Sequence, residues 1–168
     1  MKERVGALLS PSVAAKVTLG TFHSFCARIL RWEVKRLGYL PNFSITDESD
    51  MRGLSRQAEA ELGYRKEDAS VEEVLSYSGK KKNRLLTPSQ CIKTAETDFE
   101  VKASHIYERY QQMLENQNML DFDDLLMFVC KLWEKDPELL KKHRERYQYI
   151  LVDEYQDTNF AQFTLLKM

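Results

Sequence analysis

The sequence predicts a mainly α-helical protein, in which a helical accessory domain is inserted into an α/β domain that keeps only two short strands. Three observations predict this fold class. Helical periodicity and helix caps recur along most of the 168 residues. Strand-forming runs occur only at residues 16–19 (KVTL) and 149–152 (YILV). The segment between these runs is far longer than an ordinary crossover between parallel strands, so it is predicted to form a domain of its own.

Each predicted helix has its own start or stop signal. Thr21 can cap the first helix, which Gly38 can end, and the second would begin at Thr46 or Asp47 and end at Gly63. These signals place two helices in the first third of the chain.

The later helices are marked in the same way. Capping-box spacing occurs at Ser70-Val-Glu-Glu73 and at Thr87-Pro-Ser-Gln90. A long amphipathic segment follows at about 99–117, a second at 121–135, and Pro137 opens a short helix that runs through Arg146. Local signals therefore predict helix up to the second strand-like run.

Composition limits the classes of function. The chain has 25 Lys and Arg against 26 Asp and Glu, so no global positive field indicates a nucleic-acid binder and any DNA contact must be local. Cys26, Cys91 and Cys130 lack zinc-site spacing and are predicted to be reduced core residues. The charged N-terminus and the lack of a long apolar run predict a soluble, cytoplasmic protein with no membrane partner.

The stretch YQYILVDEYQDTN, residues 147–159, places two adjacent carboxylates, Asp153 and Glu154, directly after an apolar run. Open α/β sheets bind ligands at the C-terminal ends of their strands, where the first acid can hold Mg²⁺. The second acid can orient and deprotonate a water that attacks a phosphoryl group. The same pair also fits a solvated turn or a helix N-terminus, and both interpretations stay open on the pair alone.

Four stretches together resemble a known family. They are TFHSFCARILR (21–31), SGKKKNRLLTP (78–88), LDFDDLL (120–126) and DEYQDTN (153–159). The first, third and fourth resemble motif Ib, the acidic motif that precedes motif II, and motif II (Walker B) of superfamily 1A DNA helicases of the UvrD/Rep/PcrA type. The second resembles the helical segment that this family has at the same place. The resemblance covers essentially the whole chain.

This resemblance implies that the chain is a fragment. Residues 1–20 would be a remnant of the RecA-like subdomain 1A, 21–146 the helical subdomain 1B, and 147–168 the return into subdomain 1A. The parent would be an ATP-dependent helicase that uses ATP and Mg²⁺, moves 3′ to 5′ along single-stranded DNA and unwinds duplex DNA. Its partners would be single-stranded DNA, the junction with duplex DNA, and the remainder of the helicase chain. A role in repair, plasmid replication or recombination stays open.

The resemblance also implies roles for five residues. Glu154 would be the general base and Asp153 the Mg²⁺ ligand, while Thr21, His23 and Lys82 would contact DNA. A helix N-terminus suits phosphate contact through its free amides, and lysines can follow the DNA backbone as point charges. Simpler interpretations remain open: a helix cap followed by an exposed histidine, and a solvated helix end.

Two further groups of residues have competing interpretations. Asp121, Asp123 and Asp124 suggest a metal site, but capping and compensation of the helix dipole explain them without a metal and are preferred. Trp32 and Trp133 lie at helical spacing and are predicted to be core residues rather than base-stacking platforms.

The sequence contains no GxxxxGK[ST] motif, which forms the phosphate loop of this class of ATPase. The only Gly-Lys pair, Gly79-Lys80, has Val74 five positions earlier and Lys81 in place of the required Ser or Thr. The isolated chain is therefore predicted to be catalytically inactive. The alternative function is a non-catalytic helical module that binds DNA or another protein, and the flanking gene sequence would distinguish the two.

Overall fold

The computed structural model describes residues 2–64 and 70–168, and it is mainly α-helical there, which confirms the predicted fold class. The described residues form ten α-helices, α1 to α10: Lys2–Leu8, Pro11–Ala14, Phe22–Glu33, Glu48–Glu61, Val71–Asn83, Pro88–Thr94, Asp98–Asn116, Phe122–Lys135, Pro137–Arg146 and Phe160–Lys167. Two short strands, β1 and β2, lie at Ser44–Ile45 and Met119–Leu120, and 3-10 turns lie at Val34–Leu37 and Tyr155–Asp157.

The two strands are not where the sequence predicts them. β1 and β2 pair in parallel, Ser44 with Met119 and Ile45 with Leu120, whereas residues 16–19 and 149–152 contain no strand. A strand requires a neighbour that accepts and donates its backbone hydrogen bonds, and strand propensity alone does not supply one. The predicted strand positions were therefore wrong, although the number and the shortness of the strands were right.

The helix boundaries follow the predicted caps closely, because capping is a local interaction. Side chains accept a hydrogen bond from the backbone N–H three residues later at Thr21, Asp47, Ser70 and Thr87. The last two form complete capping boxes. Gly38 follows the turn after α3 with a φ of 90°, a left-handed conformation that favours glycine.

The helices enclose two hydrophobic cores. The first lies among α3, α8, α9 and α10, and its buried members include Cys26, Ile29, Leu30, Leu125, Val129, Trp133, Leu139, Ala161 and Leu165. The second lies among α4, α5, α6 and α7, and its buried members include Leu54, Ala58, Val74, Cys91, Ile106, Tyr107, Tyr110 and Leu114. Helix α5, which belongs to the second core, also packs against α8 of the first.

The predictions for individual core residues were partly right. Cys26, Cys91 and Cys130 are free and buried, and Trp133 is buried, as expected. Trp32, in contrast, is 49% exposed, and the guanidinium of Arg146 lies 4.8 Å from the centre of its ring. Among the described helices, none is both long and apolar enough to span a bilayer.

Candidate active site and nucleic-acid interface

Asp153, the candidate Mg²⁺ ligand, and Glu154, the candidate general base, lie in an exposed loop before α10. Glu154 has φ 50° and ψ 44°, in the left-handed region that residues with a side chain seldom occupy. Its backbone N–H donates to Oδ1 of Asp153 at 3.0 Å, and Nε2 of Gln156 donates to its Oε2 at 2.5 Å. Hydrogen bonds to side chains of the loop itself thus stabilise an unusual turn at the acid pair.

The acid pair can supply only some of the ligands that a metal ion needs. Across residues 2–64 and 70–168, no group of three or more His, Cys, Asp or Glu side chains is arranged to hold a metal ion. Mg²⁺ in nucleotide sites is usually bound by one or two carboxylates together with water and substrate phosphates. The exposed carboxylate of Asp153 fits such a donor set, in which the nucleotide supplies the other ligands.

The candidate DNA-contact residues lie at the N-terminus of α3. Thr21 is exposed and caps the helix by accepting from the backbone N–H of Ser24. His23 is partly buried, and its ring centre lies 5.3 Å from that of Phe122, which is 54% exposed. Burial lowers the pKa of His23, and the nearby charge of Asp123 opposes that effect only in part. This shift favours the neutral imidazole.

Lys82, the third predicted DNA contact, lies elsewhere. Its side chain is completely buried, and its ammonium is 2.5 Å from Oδ2 of Asp121 and 2.8 Å from Oδ1 of Asp124. The hydroxyl of Tyr110 also donates to Asp121, at 3.1 Å. A phosphate cannot reach this ammonium unless the buried pairs break, so the geometry argues against a direct DNA contact by Lys82.

In the buried cluster of Lys82, Asp121 and Asp124, the pKa values of Lys82 and Asp124 are shifted. Burial and the charge of Asp121 raise the pKa of Asp124 to about 7, although Lys82 acts against both. Burial alone would lower the pKa of Lys82, but the two carboxylates raise it above its ordinary value. Burial is thus the main cause that favours a proton on Asp124, and the second carboxylate, which shares the same cation, adds to it.

The three aspartates at the start of α8 serve the helix and its neighbours. Asp121 caps α8 and forms a capping box with Asp124, which confirms the predicted capping role for these two residues. Asp123 accepts a hydrogen bond of 2.8 Å from Nδ2 of Asn83. Burial raises the pKa of Asp123, with a smaller contribution from Asp121.

Sequence reasoning missed the partners of Lys82, although a signal was present. Val71, Val74, Ser78 and Lys82 are all buried on α5 and follow each other at spacings of three, four and four residues. That spacing is the buried stripe of an amphipathic helix, so the position of Lys82 alone predicts a buried charge that needs acidic partners.

Asn83 joins the acid loop to the start of α8. Asn159 caps α10 through a capping box with Gln162, and its Nδ2 also donates to Oδ1 of Asn83 at 2.5 Å. Nδ2 of Asn83 in turn donates to the carbonyl oxygen of Gly79 at 2.9 Å and to Asp123. One amide therefore touches three parts of the molecule: α5, α8 and the cap of α10.

Comparison with known proteins identifies the family. The model of the UvrD/REP helicase N-terminal domain matches residues 1–168. The ATP-dependent DNA helicase PcrA of Bacillus subtilis (strain 168) is 39% identical over 167 residues, which are 99% of this chain and 22% of that protein. The PcrA proteins of Staphylococcus aureus (strain Mu50 / ATCC 700699) and Leuconostoc citreum are 37% and 34% identical over the whole chain, which spans 23% and 22% of their lengths. The chain belongs to the UvrD/REP helicase N-terminal domain family.

Proposed function

We propose that the chain is part of an ATP-dependent DNA helicase that moves 3′ to 5′ along single-stranded DNA and unwinds duplex DNA. The observation that carries this proposal is the family match over the whole chain, together with an acid pair held in an exposed loop. The chain spans about 22% of the relatives that it matches, so the activity is proposed for the whole protein.

In this proposal, Asp153 is the protein's Mg²⁺ ligand and Glu154 is the general base. Mg²⁺, when bound with ATP, neutralises charge on the phosphates. The carboxylate of Glu154 orients the attacking water and takes its proton. The left-handed turn at Glu154 supports the assignment, because strained backbone persists where the surroundings hold it in place and is concentrated at functional sites.

Thr21 and His23 are proposed to contact single-stranded DNA. The N-terminus of a twelve-residue helix favours a phosphate through its backbone amides and its dipole. A neutral imidazole beside the half-exposed ring of Phe122 can donate a hydrogen bond or stack on a base. We propose that Lys82 acts indirectly, by fixing the start of α8 beside His23.

The division into subdomains is also a proposal for the whole protein. Residues 1–20 and 147–168 would belong to subdomain 1A and 21–146 to subdomain 1B. The shared core of α3, α8, α9 and α10 supports an intimate junction between the helical part and the returning segment. The chain alone, without a GxxxxGK[ST] motif to hold the phosphates, is proposed not to hydrolyse ATP.

The test uses the full-length protein that contains the chain. ATP hydrolysis is measured with and without single-stranded DNA, and strand separation is measured on duplexes with a 3′ or a 5′ single-stranded tail. We expect stimulation by single-stranded DNA and separation of the 3′-tailed duplex. Glu154→Gln should lower stimulated hydrolysis on the order of 10²-fold or more. The matched control is Glu145→Gln, at an exposed acid of α9, which should retain activity.

Two results would overturn the proposal. The first is a full-length protein that binds DNA but shows no hydrolysis of ATP. The second is hydrolysis that Glu154→Gln leaves unchanged. The first result would favour a non-catalytic helical module that binds DNA or another protein. The second would show that Glu154 is not the general base.

A further inference from the structure

The hydrogen bonds of Asn83 connect two places to which the proposed function assigns different tasks. One is the acid loop, residues 153–159, which ends at the cap of α10. The other is the first turn of α8, which lies against His23. We propose that Asn83 is a positioning residue that couples these two places, so that DNA at the face of Thr21 and His23 affects ATP hydrolysis. This inference rests on the proposed function.

The chemistry of asparagine suits such a connection. Oδ1 of Asn83 accepts from Asn159 while Nδ2 donates to Asp123, so both ends of the amide are used at once. An aspartate here would face the carboxylate of Asp123 and could not donate to it. A leucine of similar shape would remove both hydrogen bonds. Few other side chains of this length carry a donor and an acceptor on opposite sides.

Gly79 allows α5 and α8 to approach each other closely. A Cβ atom at this position would lie 2.8 Å from Oδ2 of Asp123, closer than real Cβ atoms come to other heavy atoms. The carbonyl oxygen of Gly79 also accepts from Asn83. Because Gly79 has no side chain, Asp123 has space to form its hydrogen bond with Asn83.

The connection continues from Asp123 to the DNA-contact face. Asp123 interacts electrostatically with His23, and its neighbour Phe122 contacts the His23 ring. A displacement of the first turn of α8 therefore changes the surroundings of His23 directly. Through Asn83, the same displacement is transmitted to Asn159 and the end of the acid loop.

The experiment compares two variants in the full-length protein. Asn83→Leu removes the three hydrogen bonds of the amide, to Asn159, to Asp123 and to the carbonyl oxygen of Gly79. Asn159→Ser keeps a good helix cap but is too short to reach Asn83, so it breaks the connection without removing the start of α10. Asn116→Leu, the same change at an exposed position of α7, is the control. Thermal unfolding is recorded for all three, and Asn159→Ser tests the proposal even if Asn83→Leu folds poorly.

Two quantities are measured: the ratio of ATP turnover at saturating single-stranded DNA to turnover without DNA, and the DNA concentration that gives half of the stimulation. We expect the ratio to fall on the order of 10-fold in both variants, a typical size for coupling between sites. The half-saturating DNA concentration should change much less. A purely structural defect would instead lower turnover with and without DNA in parallel.

The double variant decides whether the two residues act together. If Asn83 and Asn159 form one connection, their combination should lower the ratio no further than the stronger single change. A retained ratio, effects that multiply, or a change confined to the half-saturating DNA concentration would each overturn this inference and leave the proposed function standing. An unmodified protein without DNA-stimulated hydrolysis would overturn the proposed function, and this inference with it.

Discussion

The ammonium of Lys82 lies 2.5 Å from Oδ2 of Asp121, and both side chains are almost completely buried. With Asp124 at 2.8 Å on the other side, this cluster joins α5 to the start of α8. Removing charges from water is costly, so such a cluster is stable only while its members compensate each other. The cluster therefore predicts how mutation and, through Asp124, pH affect the stability of the chain.

We expect Lys82→Ala to lower the free energy of unfolding by about 3–5 kcal/mol, because it leaves two buried carboxylates without their cation. Lys80→Ala, at an exposed position two residues away, should change it by no more than about 0.5 kcal/mol. Urea unfolding of the chain measures both. Equal effects of the two substitutions would contradict the buried placement of Lys82.

The raised pKa of Asp124 predicts a dependence of stability on pH. Its pKa rises from 3.8 to about 7 on folding, so between these values the folded state binds more protons than the unfolded state. Stability from this group is therefore fully present below the lower value and is lost as pH rises through about 7. Asp124→Asn should flatten the fall in unfolding free energy between about pH 4 and about pH 7. Parallel curves for the two proteins would show that Asp124 does not titrate in this range.

The helices were predictable from sequence because their signals are local. A cap such as Ser70 and its partner Glu73 lie within one turn, so no knowledge of the rest of the fold is needed. The strands were not, because pairing of Ser44 with Met119 depends on helices that bring distant residues together. α10 was not predicted either, although Asn159 and Gln162 have the spacing of a capping box.

The candidate site was predictable only in part. The acid pair and the cap at Thr21 follow from motifs. Whether a lysine is buried or exposed depends instead on which face of its helix is covered. Lys82 belongs to a run of three lysines, which suggests that its side chain is exposed to solvent. Its position on the helix nevertheless buries it. The link through Asn83 joins residues 76 positions apart and has no signature in the sequence.

Two glycines within helices offer a matched pair of substitutions. A Cβ atom at Gly53 in α4 would meet nothing within 4 Å, so Gly53→Ala should raise the free energy of unfolding by about 0.5–1 kcal/mol through helix propensity. Gly79→Ala gains the same propensity but crowds Asp123, at a cost of about 1 kcal/mol or more. Chemical unfolding should therefore rank Gly53→Ala above Gly79→Ala. Equal stabilisation would show that α8 yields easily at this point.

The apolar segment before the acid loop leads to the last prediction. Tyr149 and Leu151 are 92% and 100% exposed, and the segment from 149 to 152 belongs to neither strand nor helix. Its amides should exchange with solvent at rates close to those of an unfolded peptide in a dilute solution of the chain, because secondary structure does not protect them. Hydrogen exchange read by mass spectrometry or NMR measures this directly.

Substitutions test the same segment independently. Leu151→Ser should change the free energy of unfolding of the chain by no more than about 0.5 kcal/mol, since the leucine is already in water. Leu165→Ala is the matched control in α10, where the side chain is buried in the first core, and it should cost about 2–5 kcal/mol. Strong protection of residues 149–152, or a large loss of stability from Leu151→Ser, would mean that the segment forms a strand in solution as its sequence suggests. A pairing between chains would then be the explanation to examine, because protection would rise with protein concentration.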